Sequence, residues 1–218
     1  CMLPTKYTSQ LSIDCTDEFV KNLGVNYEMI DIELARLAIL STLNMQMQSM
    51  PEDKTEENIQ SRIRGLILMA LSNKFSRMLL STGNKSESYV GYATIYGDMC
   101  GGFAPIKNVY KTDVYKLCNW RNKNIPKNSL CKKLSIIPES IIKRPPTAEL
   151  KYNQTDQDTL PPYEVLDNIL SMMIDNKIQI DDVAKETNCD INLVKKIFAM
   201  FKKSEFKRKQ SPYGALDY

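Results

Sequence analysis

The 218-residue sequence contains no histidine, and that absence removes much of ordinary enzyme chemistry. No Ser-His-Asp triad, Cys-His dyad or His-ligated metal can be assembled within the chain. It has no C-x-x-C pair either; its six cysteines lie scattered at 1, 15, 100, 118, 131 and 189. That pattern argues against a zinc site and for small buried hydrophobes in a reducing, cytoplasmic setting. No apolar run approaches the roughly 18 residues of a membrane span, the longest being Leu66–Leu71. No secretory pattern opens the chain, and its first residue is Cys1 rather than a start methionine, which predicts a fragment of a longer protein. A net charge of +3 is too small for polyanion binding over the whole surface. Chemistry here must use carboxylates, lysines, arginines, hydroxyls and backbone amides, groups suited to hard cations and phosphates.

A length of 218 residues suits one large α/β domain, or one domain with a helical appendage, and an apolar fraction of 43% with a charged fraction of 25% is ordinary for a globular protein. Met2–Pro4 reads as the end of a strand, and a helix is predicted from about Asp14 to Leu23, closed by Gly24. Residues 25–32 alternate like a strand, and 33–50 like a helix stopping before Pro51. Thr55 is the predicted N-cap of the next helix, with Glu56 and Glu57 in its first turn. Its apolar stripe is Ile59, Ile63, Leu66, Ala70 and Leu71. A strand at 77–81 follows, giving a βαβ order expected to form parallel units with right-handed crossovers. Beyond Pro105 the pattern predicts a helix at 111–122, a basic loop at 127–133, and helices at about 163–176, 179–187 and 190–203.

Four stretches carry possible chemistry. Thr82-Gly83-Asn84-Lys85-Ser86-Glu87 sits where a strand hands over to a helix, the place at which open parallel sheets bind ligands. Glu87 there is a candidate cation ligand; the alternative is a capped turn with Lys85 and Glu87 in solvent. Arg62 and Arg64 point about 200° apart on a helix, so one solvent face cannot hold both. Lys143-Arg144-Pro145-Pro146-Thr147 is a stiff basic turn, suited to a ligand clamp or to a structural elbow. Residues 180–209 have a helix-turn-helix pattern with a basic tail, which raises a DNA-binding alternative.

In order along the chain, "MLPTKYTS", "TEENIQSRIRG", "STGNKSESYVGYATIYGDMCGGF", "YKTDVYKLCNWRN", "KRPPTAELKYNQTDQDTLPPYEVLD" and "EFKRKQSP" resemble the synthetase domain of NAD synthetases, in particular their glutamine-dependent branch. The resemblance implies an α/β fold: a three-layer α/β/α, adenine-nucleotide α-hydrolase-like (Rossmann-like) parallel sheet with C-terminal helices. It implies one domain over 1–218, of which about 163–209 is the helical C-terminal part. The implied reaction amidates deamido-NAD through an acyl-adenylate, using ATP and Mg2+ and no tightly bound organic cofactor. The implied ATP contacts are Thr82, Lys111 and Thr147. Glu87 would ligate magnesium, and Arg62, Arg64, Phe206 and Lys207 would hold deamido-NAD. No residue is assigned as a general acid or base. The implied partners are a second copy of the chain in a homodimer and an amidase domain that releases ammonia from glutamine, with no nucleic acid and no membrane.

The sequence departs from the family pattern in two ways. The Ser-Gly-Gly-x-Asp-Ser phosphate loop lies upstream of Met2 in the family, so a chain beginning at Cys1 is expected to lack activity by itself. Ammonia-dependent members carry a Lys before Tyr-Gly-Asp and an Asp shortly after it, where this chain has Ile95 and Gly102. A non-catalytic nucleotide-binding or dimerising remnant is therefore the first alternative to the enzyme, with the DNA-binding module behind it.

Overall fold

The computed structural model describes residues 1–48 and 50–215. Residues 216–218, the end of the predicted domain, lie outside the described residues, as does Ser49 in the predicted helix 33–50. The chain divides into two compact units: residues 1–64 with 115–158, and residues 65–114 with those from Thr159 onward.

In the first unit, α1 (Gln10–Leu23) starts four residues earlier than the periodicity suggested, because Ser9 is its cap. The Ser9 hydroxyl oxygen accepts the Ser12 amide at 3.2 Å, one of the donors that a helix start cannot satisfy internally. Gly24 ends α1 as expected, at φ 69°. The predicted helix 33–50 is broken: α2 (Glu33–Thr42) and α3 (Asn44–Met47) meet at Leu43, whose φ of −91° and ψ of 0° leave the helical region. Helix α4 (Lys54–Lys74) is capped by Asp53 rather than Thr55. The Asp53 carboxylate accepts the Thr55 amide at 2.7 Å, and the Glu56 carboxylate accepts the Asp53 amide at 2.8 Å, two side-chain acceptors at the helix start. Both residues are good caps, and the acid three positions on selects Asp53. Ile59 and Ile63 of the predicted stripe are buried, whereas Leu66 is 69% exposed. From Gly65 on, α4 belongs to the second unit, where a Cβ on Gly65 would stand 2.8 Å from the Tyr96 carbonyl oxygen. Helices α6 (Lys111–Lys123) and α7 (Glu139–Lys143) follow, α6 beginning in the second unit.

The second unit holds α5 (Lys85–Val90), α8 (Tyr163–Leu170), α9 (Ile180–Thr187), α10 (Ile191–Lys203) and α11 (Glu205–Arg208). Its core is Leu166, Ile169 and Leu170 of α8 against Val183 of α9 and Val194 and Ile197 of α10, all at most 1% exposed. Helix α8 runs into a π-helical turn at Ser171–Asp175, so the predicted helix 163–176 exists with a changed pitch. The α9–α10 pair forms as predicted, but its apolar faces are spent on this core. Of its basic tail, Lys207 and Arg208 turn inward: the Lys207 ammonium donates to the Gly91 and Ala93 carbonyls at 2.8 and 2.6 Å, and Arg208 donates to the Tyr89 carbonyl at 3.3 Å. That is how a packing unit behaves, and it does not favour the DNA-binding alternative.

The expected parallel sheet does not form extended strands among the described residues. Among the described residues β-pairing consists of three isolated parallel bridges: Met2 with Met29, Leu80 with Phe103, and Ala104 with Gly214. The direction is the expected one, with the Met2 amide on Glu28 (2.8 Å) and the Ile30 amide on Met2 (2.9 Å). The predicted strands at 25–32 and 77–81 do not lengthen because each segment contributes only two or three such bonds before turning. Their apolar residues are correspondingly open: Val25 is 54% exposed and Met78 70%.

Gly91 ends α5 at φ 73°, and a Cβ there would lie 2.7 Å from the Ser204 Cβ. Both the left-handed backbone and the contact penalise a side chain. Gly91→Ala is expected to lower stability by at least about 2 kcal/mol, read as a shift in urea midpoint. Gly83→Ala, with nothing within 4 Å of its Cβ, is expected to change it by under about 0.5 kcal/mol.

Candidate functional site

The turn after Leu80 is fixed from both sides. The Ser81 amide donates to Phe103 at 2.9 Å and its hydroxyl to the Asp98 carbonyl at 3.1 Å. Asn84 then caps α5: its side chain accepts the Glu87 amide at 3.0 Å, and the Glu87 carboxylate accepts the Asn84 amide at 3.1 Å. The second Glu87 oxygen pairs with the Lys111 ammonium at 3.1 Å, the two side chains being 20% and 19% exposed. Lys111 also lies 5.5 Å from the centre of the Tyr163 ring.

Lys85 stands in the same turn but serves a different purpose. Its ammonium binds both Asp175 oxygens, at 2.9 and 2.7 Å, and lies 4.3 Å over the Tyr110 ring. The Tyr110 hydroxyl donates to Asp175 at 2.8 Å; burial, then that bond, pushes its pKa far up. Lys85 thus ties α5 to the π-turn, so the solvated Lys85 of the bland alternative is not what forms.

A cavity in the second unit is lined by Gly83, Glu87, Asp98, Lys107, Lys207 and Arg208, among others. Three cations and two carboxylates around one concavity suit a polyanion that brings a hard cation with it. Lys107 was not picked out from the sequence; it donates to the Pro212 carbonyl at 3.0 Å, a contact 105 residues away that no local pattern reveals. Thr82 is exposed beside this cavity wall, and Phe206 is 52% exposed on α11. Among the described residues no group of three or more metal-binding side chains occurs. Glu87 therefore fits magnesium only as one ligand beside phosphate oxygens and water, the usual arrangement for Mg2+ on a nucleotide.

Arg62, Arg64 and Thr147 belong to the first unit. Arg62 is exposed, whereas Arg64 is partly buried and donates from Nε to the Leu3 carbonyl at 2.9 Å. Burial lowers its pKa, which the Glu149 charge partly offsets. The turn at 143–147, left open between a ligand clamp and an elbow, makes internal contacts within its own unit. Arg144 donates to the Ser12 hydroxyl at 2.7 Å, and Lys143 pairs with Glu139 at 3.0 Å on the exposed side of α7. The Glu149 carboxylate accepts from Ser9 (2.7 Å) and Ser12 (2.6 Å) at the start of α1. Thr147 ends the turn, its hydroxyl oxygen accepting the Glu149 amide at 3.1 Å; Glu149 holds a left-handed φ of 50°.

The model of the NAD synthase family matches residues 1–211. The chain belongs to the NAD synthase family. The glutamine-dependent NAD(+) synthetases of Rhodobacter capsulatus and Thermotoga maritima are 48% and 47% identical to it, each over 98% of this chain. It spans 38% and 36% of their lengths. A solved glutamine-dependent NAD+ synthetase from Acinetobacter baumannii, in complex with ADP, is 38% identical over 96% of this chain and 36% of its own, at a TM-score of 0.61. The NMN synthetase of Francisella tularensis is 25% identical over 94% of this chain and 74% of its own, at a TM-score of 0.72. Membership of the NAD synthase family does not favour the DNA-binding module. Of the predicted site residues, Glu87, Lys111 and Lys207 are gathered around α5, while Arg62, Arg64 and Thr147 stand on the other unit.

Proposed function

We propose that the protein carrying this chain is an ATP-dependent amide ligase that converts deamido-NAD to NAD. The observation that carries the reading is Glu87, which lines a cation-rich cavity and pairs with Lys111, within a chain matched to the NAD synthase family over 1–211. The carboxylate of the nicotinate ring attacks the α-phosphorus of ATP, the bond to pyrophosphate breaks, and an acyl-adenylate forms. Ammonia then attacks the acyl carbon, a proton leaves the nitrogen, and AMP departs with the bonding electrons.

No histidine is required, because adenylation itself creates the leaving group. The protein supplies position and charge. Thr82, Lys111 and Thr147 contact ATP in this reading, and Glu87 holds magnesium, which would neutralise polyphosphate charge when bound. Arg62, Arg64, Phe206 and Lys207 hold deamido-NAD. The two units are read as parts of one synthetase domain with a three-layer parallel α/β fold, whose helical C-terminal part covers about 163–209. The working protein is read as a cytoplasmic homodimer fed with ammonia from glutamine by an amidase domain. No helix among the described residues is long and apolar enough to cross a membrane.

The adenylation half-reaction tests this reading without ammonia. Labelled pyrophosphate is expected to exchange into ATP only when deamido-NAD and magnesium are present. Exchange that ignores deamido-NAD would count against the proposal.

A further inference from the structure

The start of α6, which carries Lys111, is held by two side chains from other helices. Ser86 on α5 is 0% exposed, and Asp167 on α8 is 5% exposed. The Lys111 amide donates to the Ser86 hydroxyl oxygen at 2.9 Å, and the Thr112 amide donates to Asp167 Oδ2 at 2.9 Å. Ser86 Oγ in turn donates to Asp167 Oδ1. A carboxylate thus sits at the positive end of a 13-residue helix and is satisfied by one hydroxyl and one amide.

The same face of α8 contributes again one turn earlier. Tyr163, four residues before Asp167 and so above it on the helix surface, is 3% exposed and lies under the Lys111 ammonium. Lys111 is therefore fixed at three levels: its backbone by Ser86 and Asp167, its ammonium by Tyr163, and its charge by Glu87. The link is direct, since Ser86 and Glu87 are neighbours on α5. A shift of the α6 start would move Lys111 relative to Glu87 by the same amount.

We propose that Ser86 and Asp167 are positioning residues for nucleotide binding: they hold the Lys111 ammonium in register with the Glu87 carboxylate so that polyphosphate meets a preformed pair. This rests on the reading of Lys111 as an ATP contact. Ser86→Ala removes the acceptor of the Lys111 amide and deletes only one oxygen. Asp167→Asn keeps the shape, but places a donor where one carboxylate oxygen stood or leaves the Thr112 amide facing one.

The test uses the full-length protein carrying Ser86→Ala, Asp167→Asn, Lys111→Ala, or Ser86→Ala with Lys111→Ala. It reads KM for ATP, KM for deamido-NAD and the calorimetric Kd for ATP. Ser86→Ala is expected to raise KM and Kd for ATP about five- to tenfold, the worth of a hydrogen bond near a charge, with KM for deamido-NAD unchanged. In the Lys111→Ala background the same change is expected to add nothing further. A merely structural Ser86 would lower the melting temperature and the active fraction but leave both ATP constants alone, and that result overturns the proposal. An additive double variant overturns it too, because Ser86 would then act other than through Lys111. If Lys111→Ala leaves ATP binding unchanged, the ATP role of Lys111 falls and the positioning claim with it. If Lys111→Ala weakens ATP while Ser86→Ala does not, only the positioning claim falls. Should Asp167→Asn fail to fold, Ser86→Ala decides alone.

Discussion

Lys111→Ala in the full-length protein is expected to lower kcat/KM for ATP by about a hundredfold, in line with the loss of one preorganised charge at a polyphosphate site. Two features make this the largest functional effect. The Lys111–Glu87 pair is four-fifths removed from solvent on both sides, so its charges are screened less than a surface pair's. The Lys111 ammonium also meets the carboxylate proposed to hold magnesium. Lys85 supplies the contrast. It is the same residue type in the same turn, but its charge is taken by Asp175 at 2.7 Å. Lys85→Ala should therefore lower the melting temperature while leaving KM for ATP unchanged. Steady-state kinetics at saturating magnesium decides between the two, and the reverse pattern would exchange their roles.

Leu166→Ala should produce the largest loss of stability, about 3–5 kcal/mol. Leu166 is 0% exposed at the centre of the α8 face, among Ile169, Leu170, Val183, Val194 and Ile197. Removing its branched end leaves a cavity enclosed by three helices, with little room for the neighbours to close in. The loss is measured as a shift in urea midpoint at constant m-value. Lys203→Ala, on an exposed position of α10, should change stability by under about 0.5 kcal/mol. A Leu166→Ala loss below about 1 kcal/mol would mean that α8 is not the core helix of its unit.

The helices were the most readable part of the sequence. Residues 180–203 alternate apolar and polar at helical spacing, and α9 and α10 form within a residue or two of where that spacing ends. Gly24 and Asn84 mark a helix end and a helix start through local chemistry alone. Errors arose where two local signals competed, as between Asp53 and Thr55, or where the outcome depended on a distant partner. Alternation at 25–32 is compatible with a strand, but a strand needs a neighbour along its length, and Met2–Pro4 provides only a short one. At the candidate site, Glu87 and Lys111 were reachable from the resemblance, and their 3.1 Å pairing is consistent with it. The solvated Lys85 of the capped-turn alternative did not form, because its ammonium pairs with Asp175, 90 residues away. Ser86 and Asp167, 81 residues apart, could not be linked from sequence, since a serine beside a capping residue and an acid inside an apolar helix each have common local explanations.

The central claim is that this chain belongs to a ligase that activates deamido-NAD with ATP. The most direct measurement gives the full-length protein ATP, magnesium and deamido-NAD, with ammonia or glutamine, and follows AMP and NAD together. The account predicts equal amounts of both, and no AMP when deamido-NAD is omitted. Absence of AMP with either nitrogen source, or AMP released without NAD, would contradict it.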